Sequence, residues 1–330
     1  MKVLVTGSEG FIGSHLVEAL ILDGQEVKAL SLYNSFNSRG WLDTLDKKIL
    51  NSIEIVSGDI RDSFLVENIS RKQDAIIHLA ALIAIPYSYR SPKSYLDTNI
   101  NGAINILEAA KKNNIKKTLI TSTSEVYGSA QKIPITEEHP LSAQSPYAAT
   151  KIASDQLALS YYRSFKLPVS VIRPFNTFGP RQSLRAVIPS IILQTINNKK
   201  IEVGNLYPTR DFTYVKDICR AFIFALKKKN IDGEVINLGS QFEISIQETI
   251  QEILKIAGSK KKVLKNRKRE RLITSEVNRL YSDSSKAIKL LGWQPEHKGK
   301  SGFIKNLKKT YEWFAENKNL YKDLFNENIL

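Results

Sequence analysis

A tyrosine and a lysine four residues apart form the first pair in this sequence with the chemistry of a catalytic site. Tyr147 and Lys151 occur in SPYAATK, within a predicted helix, so their spacing puts both side chains on one face. A phenol is a poor base at neutral pH because its pKa is about 10, but a neighbouring ammonium favours the phenolate. Tyr147 could then take the proton from a substrate hydroxyl.

A second candidate group follows an apolar strand in the stretch TSTSEVYG, residues 121–128, which contains Glu125. Residues at the end of a strand in an α/β sheet normally face a ligand. A carboxylate there could move a second proton during the reaction. The alternative is that Glu125 is a solvated charge at the end of the strand.

A glycine-rich turn lies between the first apolar strand and the first helix, in VLVTGSEGFIG. Gly7, Gly10 and Gly13 permit a tight turn and a close approach of the backbone to a pyrophosphate, whose charge the helix N-terminus stabilises. Phe11 and Ile12 begin that helix. Directly after a strand, this pattern predicts a dinucleotide-binding site rather than a structural turn.

The elements that must position these groups follow from an alternation of short apolar runs with longer amphipathic ones. This alternation predicts an α/β fold with a Rossmann-type, doubly wound parallel sheet. The order breaks after Arg173, and the strand-like run at 234–239 is expected to rejoin the sheet. We therefore predict a dinucleotide-binding domain from 1–175 and 211–239, and a smaller, mostly helical C-terminal substrate lobe from 176–210 and 240–330.

The composition excludes several other classes of protein. The net charge is +15, but the basic residues are dispersed, and the densest run, residues 260–271, has no interleaved aromatics for stacking on bases. No nucleic acid is therefore expected as a partner, and no apolar stretch approaches the roughly 20 residues that span a membrane. The one cysteine, Cys219, rules out an intramolecular disulfide and fits a reducing compartment, so we expect a cytoplasmic protein without a metal site.

The order of the motifs resembles the extended short-chain dehydrogenase/reductase superfamily, in the branch that handles nucleotide sugars. The motifs are GxxGxxG, TSTSEVYG, YxxxK and RPFNTFGPRQ, and the resemblance extends to about residue 315. It implies NAD or NADP as a tightly held cofactor, with Tyr147 and Lys151 next to the nicotinamide. Thr123 would hydrogen-bond the reacting hydroxyl. The further cofactor contacts that it implies are Asp59, Ile60, Leu79, Ala80, Ala81 and Asn99; Asn99 has an equally good structural role, and His78 is assigned no chemistry.

The choice of cofactor depends on the end of the second strand, EVKALSLYNSFNSRG. An acid that binds the adenosine ribose is expected there, about 20 residues after the glycines, but Ser31 occupies the position. Without a carboxylate nothing repels a 2′-phosphate, and donors to it are available in Tyr33, Asn34, Ser35 and Arg39. We therefore predict NADP over NAD; the alternative is an ordinary polar loop.

Thr123, Ser124 and Glu125 resemble the Thr-Ser-Glu pattern of the GDP-mannose dehydratase group. The resemblance implies a 4,6-dehydratase, in which C4 is oxidised, a base removes the C5 proton, water leaves from C6, and hydride returns to C6. Glu125 would be the C5 base, and either Glu125 or Ser124 with a water would protonate the leaving oxygen. The alternatives are a C4 epimerase, in which Glu125 is incidental, and a non-catalytic NADP-sensing protein.

The segment after Arg173 resembles the substrate side of the same branch. Arginines suit a diphosphate because their donors are planar and bidentate. The predicted substrate contacts are Thr123, Asn176, Arg181, Arg210 and Arg279. The runs at 33–43 and 82–92 look like bacterial NDP-N-acetylglucosamine 4,6-dehydratases of legionaminic acid biosynthesis, which implies a GDP- or UDP-linked substrate, with GDP preferred, and a homodimer formed through two helices.

Overall fold

The computed structural model describes residues 1–270 and 273–321. These residues form fourteen strands, which we number along the chain. They are β1 (Lys2–Thr6), β2 (Glu26–Leu32), β3 (Ile53–Gly58), β4 (Ala75–His78), β5 (Lys117–Thr121), β6 (Val169–Pro174), β7 (Thr177–Phe178), β8 (Ile201–Val203), β9 (Thr209–Asp211), β10 (Thr213–Tyr214), β11 (Val235–Leu238), β12 (Glu243–Ser245), β13 (Val263–Lys265) and β14 (Arg279–Leu280).

Twelve α-helices accompany the strands in the described part of the chain. They are α1 (Phe11–Leu22), α2 (Lys47–Leu50), α3 (Ser63–Ser70), α4 (Ile85–Arg90), α5 (Pro92–Tyr95), α6 (Gly102–Lys112), α7 (Pro146–Phe165), α8 (Val187–Asn197), α9 (Val215–Lys227), α10 (Ile246–Ile256), α11 (Ser285–Leu291) and α12 (Gly299–Glu316). A π-helical segment, Leu96–Asn101, connects α5 to α6, and a 3₁₀ turn, Ser124–Tyr127, follows β5.

Seven strands form one parallel sheet in the order β11-β6-β5-β4-β1-β2-β3. The sheet is covered by helices on both faces, which confirms the predicted Rossmann-type α/β fold. The strand order reverses between β1 and β4, and in open α/β sheets ligands bind at the carboxyl ends of the strands beside such a reversal. The sheet therefore puts the ends of β1, β4 and β5 at the expected site.

Alternate side chains of the central strands pack into two separate apolar clusters, as the two faces of a parallel sheet require. Val3 and Val5 of β1 belong to the larger cluster, whereas Leu4 belongs to the smaller one with Ile76 of β4. All four side chains are fully buried. The sheet is thus a rigid base for the loops that leave its carboxyl edge.

Helix α7 carries the Tyr147 and Lys151 pair. It begins at Pro146, a residue suited to the first helical turn, after Ser145, whose side chain accepts a hydrogen bond from the amide of Ala148. It ends at Lys166 in the left-handed conformation. These signals place Tyr147 in the first turn of the helix, at the carboxyl edge of the sheet.

The remainder of the described chain is mostly helical, as predicted, with α8, α10, α11 and α12, and it also contains short strands. Three small sheets form there, namely β10-β7, β12-β9-β14 and β13-β8. Strand β11 joins the main sheet beside β6, as predicted from the sequence. The division into two domains stays a prediction, and its last residues, 322–330, lie outside the described part. No helix within 1–270 and 273–321 combines the length and apolar character that a bilayer span requires.

Candidate active site

The glycine loop between β1 and α1 is too tight for side chains at two of its positions. A Cβ atom on Gly7, which has φ +66°, would lie 2.7 Å from the amide nitrogen of Ala80, and one on Gly13 would lie 2.1 Å from the carbonyl oxygen of Gly7. The amide of Gly10 donates to the same carbonyl at 3.2 Å. These contacts hold the backbone close to the N-terminus of α1.

The N-terminus of α1 has the properties of an anion site. No side chain in the described structure caps the helix at Gly10, and its first turn, which begins with Phe11 and Ile12, contains no acid. The positive end of the helix dipole and its backbone donors therefore remain available to a phosphate. This geometry is compatible with a bound pyrophosphate, and the contact of the loop with a dinucleotide stays a prediction.

The loop after β4 is fixed by two side chains beside the glycine loop. Thr6 accepts from the amide of Ala80 at 3.2 Å, and Asn99 accepts from the amide of Leu82 at 2.8 Å. The Asn99 amide also donates to the Leu82 carbonyl and to Thr150. The structure thus gives Asn99 its structural role, that of holding the segment that contains Leu79, Ala80 and Ala81 in place.

The predicted adenine contacts lie after β3. Asp59 forms an ion pair with Arg61, and this guanidinium is the main reason that the pKa of Asp59 lies below its usual range. Ile60 is buried against Gly102 at the start of α6, where a Cβ would lie 3.1 Å from it. Their contact with adenine stays a prediction.

The loop after β2 engages two of the four residues predicted as donors to a 2′-phosphate in bonds within the protein. Arg39 donates to Asp43 at 2.7 Å, and Asn34 closes its own loop by bonding to the backbone of Leu32, Phe36 and Ser38. Tyr33 and Ser35 are both exposed. The structure therefore does not support the prediction of NADP that was based on these residues.

A residue that the sequence analysis did not identify lies at the same end of β2. Ser31 is buried, and Glu9 from the glycine loop accepts a hydrogen bond from the amide of Leu32 at 3.2 Å. In sequence, Glu9 is 22 positions before Ser31, and it occupies a position that the GxxGxxG pattern leaves unspecified. Its proximity arises because β1 and β2 are adjacent in the sheet.

Tyr147, Lys151 and Thr123 meet at the carboxyl end of β5. The Tyr147 phenol forms a hydrogen bond with Thr123, and Lys151 Nζ donates to the carbonyl oxygen of Thr121 at 2.5 Å. Burial raises the pKa of Tyr147, with the charge of Glu125 adding to the effect, and burial lowers the pKa of Lys151. The protein by itself therefore keeps Tyr147 as a phenol.

Glu125 and Ser124 lie in the 3₁₀ turn that follows Thr123. The Thr123 side chain caps this turn by accepting from the Glu125 amide at 3.3 Å. Glu125 is 8% exposed, so it is not the solvated charge that the sequence allowed as an alternative. One short turn thus holds a buried hydroxyl and a buried carboxylate directly after Thr123, and the carboxylate lies close enough to the Tyr147 phenol to affect its pKa.

A buried polar network behind these residues was not foreseen from the sequence. Asp155, one helical turn after Lys151, accepts from Ser122 at 2.6 Å and from two nitrogens of Arg173 at 2.9 and 3.1 Å. Arg173 also donates to the hydroxyl of Tyr127 at 2.8 Å. The network connects α7, β5 and β6 to the turn that carries Glu125. The spacing of Lys151 and Asp155 was its only signal in the sequence.

The predicted substrate residues fall into two groups. The first group is Asn176 and Arg210: Asn176, two residues after β6, has a buried Oδ1 with no hydrogen-bond partner in the described structure, and Arg210 of β9 is buried beside Glu276. A buried amide oxygen without a donor is costly, so it is a natural contact for a ligand hydroxyl. The contact of both residues with substrate stays a prediction.

Arg279 and Arg181 lie elsewhere. Arg279 is opposite Thr209 in the β9-β14 pair and Leu280 is opposite Arg210, so Arg279 and Arg210 project from opposite faces of that sheet. Arg279 pairs with Glu243 at 2.6 Å and is half exposed. Arg181 pairs with Glu18 of α1. The structure does not bring these two arginines to Arg210, and their contact with substrate stays a prediction without geometric support.

Comparison with known proteins agrees with this arrangement. A family profile described as GDP-mannose 4,6 dehydratase matches residues 4–305. The chain belongs to this family. Among members of the GDP-mannose 4,6-dehydratase family and their relatives, the dTDP-D-glucose 4,6-dehydratase of Homo sapiens is 31% identical over 333 residues, which cover 98% of this chain and 92% of that protein.

Solved structures similar to this family member include both dehydratases and epimerases. The dTDP-glucose 4,6-dehydratase DesIV from Streptomyces venezuelae, with NAD bound, has a TM-score of 0.85 and 29% identity, covering 98% of this chain and all of that one. The UDP-glucose 4-epimerase from Thermotoga maritima, with UDP-glucose, has a TM-score of 0.86 and 28% identity over 96% of this chain and 100% of that one. The chain is thus similar to enzymes of both reactions.

Proposed function

We propose that this protein is a nucleotide-sugar 4,6-dehydratase that converts GDP- or UDP-N-acetylglucosamine to the 4-keto-6-deoxy sugar. The observation that supports elimination over epimerisation is the burial of Glu125 in the turn capped by Thr123, beside Tyr147. Oxidation and reduction at C4 need only the tyrosine, whereas removal of the C5 proton needs a second base. The structure holds the Glu125 carboxylate in this buried turn, close enough to Tyr147 for its charge to raise the pKa of the phenol.

The proposed roles of the residues are those that the resemblance to the dehydratases implies. A bound nicotinamide dinucleotide supplies the hydride acceptor at C4, the hydride donor at C6 and a positive charge that favours the Tyr147 phenolate. Tyr147 takes the C4 hydroxyl proton, and Thr123 holds the same hydroxyl. Glu125 takes the C5 proton. The oxygen leaving C6 receives a proton either from Glu125 or from Ser124 through a water.

The nucleotide part of the substrate would bind on the other side of the site. Arg210 is buried and offers planar donors to a diphosphate, although Glu276 at 3.4 Å shares its charge. The orphaned Asn176 oxygen would accept from a hydroxyl of the substrate.

We further propose a role in legionaminic acid biosynthesis, on the basis of the motifs at 33–43 and 82–92. A homodimer formed through the helices at 97–112 and 147–165 is proposed by analogy with the branch, and a cytoplasmic location from the single cysteine.

Mass spectrometry of the products tests the reaction. The protein is incubated with GDP- and UDP-N-acetylglucosamine, and with dTDP-glucose because the human relative is named for it. Loss of one water supports dehydration and identifies the nucleotide. An unchanged mass with inverted C4 would indicate a C4 epimerase, and no change with any sugar nucleotide would indicate the non-catalytic NADP-sensing protein.

The role of Glu125 is tested by Glu125→Gln, with Glu138→Gln in the exposed loop that follows as the matched control. We expect Glu125→Gln to retain bound dinucleotide and to lose dehydration by about 100-fold or more, the usual contribution of a general base. The control should keep the wild-type rate. Normal dehydration by Glu125→Gln would mean that another group removes the C5 proton.

A further inference from the structure

The carboxyl end of β2 contains two buried polar groups that lack partners. Among the described residues, Glu9 Oε2 and Ser31 Oγ have no hydrogen-bond partner, although both atoms are shielded from solvent. Buried polar atoms in proteins are nearly always paired, because an unpaired one costs about 1–3 kcal/mol. Two such atoms at one strand end indicate that a ligand with donors completes them.

The position of Glu9 is well defined by its surroundings. Ser8 donates to the carbonyl of Leu30 at 2.9 Å, Glu9 Oε1 accepts from the amide of Leu32 at 3.2 Å, and the Glu9 carbonyl accepts from the amide of Trp41 at 3.0 Å. A Cβ on Gly40 would lie 2.8 Å from that carbonyl, so the loop after β2 closes tightly over Glu9. Glu9 is therefore held at the end of β2 by two neighbouring segments, β2 itself and the loop that follows it.

No described cation lies within ion-pair distance of Glu9, so its charge is not neutralised by the protein. Burial accordingly raises the pKa of Glu9, against the opposing hydrogen bonds from the backbone amides of Glu9 and Leu32. The nearest candidate cation in the loop, Arg39, is committed to Asp43. Among the described residues, the end of β2 thus has an acid without an ion-pair partner and no free basic side chain. This combination disfavours binding of a phosphate and favours a ligand that donates a hydrogen bond from a hydroxyl.

We propose that Glu9 accepts a hydrogen bond from the 2′-hydroxyl of the adenosine ribose and thereby selects NAD against NADP. The glycine loop thus contributes the carboxylate that the end of β2 lacks. The inference rests on the dinucleotide binding assumed in the proposed function, and it replaces the NADP prediction made from the sequence. A 2′-phosphate would meet the Glu9 carboxylate with like charge, and the cation of the neighbouring loop, Arg39, is already paired with Asp43.

The test measures which nucleotide the full-length protein retains. The protein is equilibrated with equal concentrations of NAD and NADP until the bound ratio is constant, separated from free nucleotide, denatured and analysed by mass spectrometry. We expect wild type to retain NAD over NADP by about 10- to 100-fold, as a hydrogen bond to a charged group predicts. Glu9→Gln should lower this ratio by about 10-fold or more.

Two further variants show whether the selection belongs to Glu9 itself. Glu26→Gln makes the same change at the exposed opposite end of β2 and should leave the bound ratio unchanged. Arg39→Ala should also leave the bound ratio of NAD to NADP unchanged if Arg39 interacts only with Asp43. A fall in NADP retention in Arg39→Ala, or an unchanged ratio in Glu9→Gln, would overturn the proposal.

A further experiment uses only the wild-type protein, so that its result does not depend on whether Glu9→Gln folds. Wild type is given NAD together with its analogue that lacks the 2′-hydroxyl on the adenosine ribose, and should retain NAD by about 10-fold or more. Equal retention of the two would overturn the proposal. If the protein retained none of these nucleotides, dinucleotide binding itself would be overturned. If it retained NAD and NADP equally, only the role of Glu9 would be overturned.

Discussion

Replacement of Asp155 by Asn would test the network that supports the catalytic turn. Asp155 and Arg173 are both almost fully buried and lie 2.9 Å apart, so the substitution leaves a buried guanidinium without its counter-charge. Unit charges about 4 Å apart interact by about 4 kcal/mol at an effective dielectric constant of 20. Removal of one partner from a buried pair costs about 3–5 kcal/mol, which agrees with this value. We therefore expect Asp155→Asn to lower the free energy of unfolding by about 4 kcal/mol.

Thermal and urea unfolding of the purified variants give this quantity. The unfolding entropy of a 330-residue protein is about 0.7 kcal/mol/K, so 4 kcal/mol corresponds to a fall in Tm of about 6 °C. Ser122→Ala is the matched control, because it removes one hydrogen bond to Asp155 and keeps both charges. It should cost about 1 kcal/mol.

A second measurement separates an electrostatic role of Asp155 from a structural one. Burial lowers the pKa of Lys151, and the charge of Asp155 opposes that shift. Loss of this charge lowers the Lys151 pKa further, so the alkaline limb of the pH–rate profile should move to lower pH in Asp155→Asn but not in Ser122→Ala. A loss below about 1 kcal/mol in Asp155→Asn, together with an unmoved alkaline limb, would refute the reasoning.

Two further predictions concern the glycine loop and its helix. Gly13→Ala puts a Cβ 2.1 Å from the Gly7 carbonyl and should reduce the fraction of bound dinucleotide, measured by mass spectrometry, more than Gly10→Ala, whose Cβ would lie at 3.3 Å; equal retention would contradict this. Burial and the charge of Arg181 lower the pKa of His15 to about 4. Between about pH 6.5 and pH 4, His15 is therefore protonated in the unfolded state and neutral in the folded state. The stability of wild type relative to His15→Gln should therefore fall by about 3 kcal/mol between pH 7 and pH 4 in urea titrations, and a constant difference would show that His15 is not buried as a neutral imidazole.

Local sequence patterns were sufficient to predict the main parallel sheet. The apolar runs of β1 to β6 and the later run of β11 correspond to the strands of the main sheet, because parallel strands covered on both faces must be apolar throughout. The glycines of the first turn and the four-residue spacing of Tyr147 and Lys151 have meaning within one element. The small sheets after β6 were missed, since strands of two or three residues are too short to show a period.

The other features of the site depend on contacts between residues that are far apart in the sequence. The Rossmann fold, the glycine loop and the order of Thr123, Glu125, Tyr147 and Lys151 could be predicted from the sequence, because each depends on residues that are neighbours along the chain. Only the tertiary structure brought Glu9 to the end of β2, since that contact depends on the adjacency of two strands. Likewise, only the alternation of faces in the β9-β14 pair separated Arg279 from Arg210, because direction across a sheet depends on register rather than on residue type.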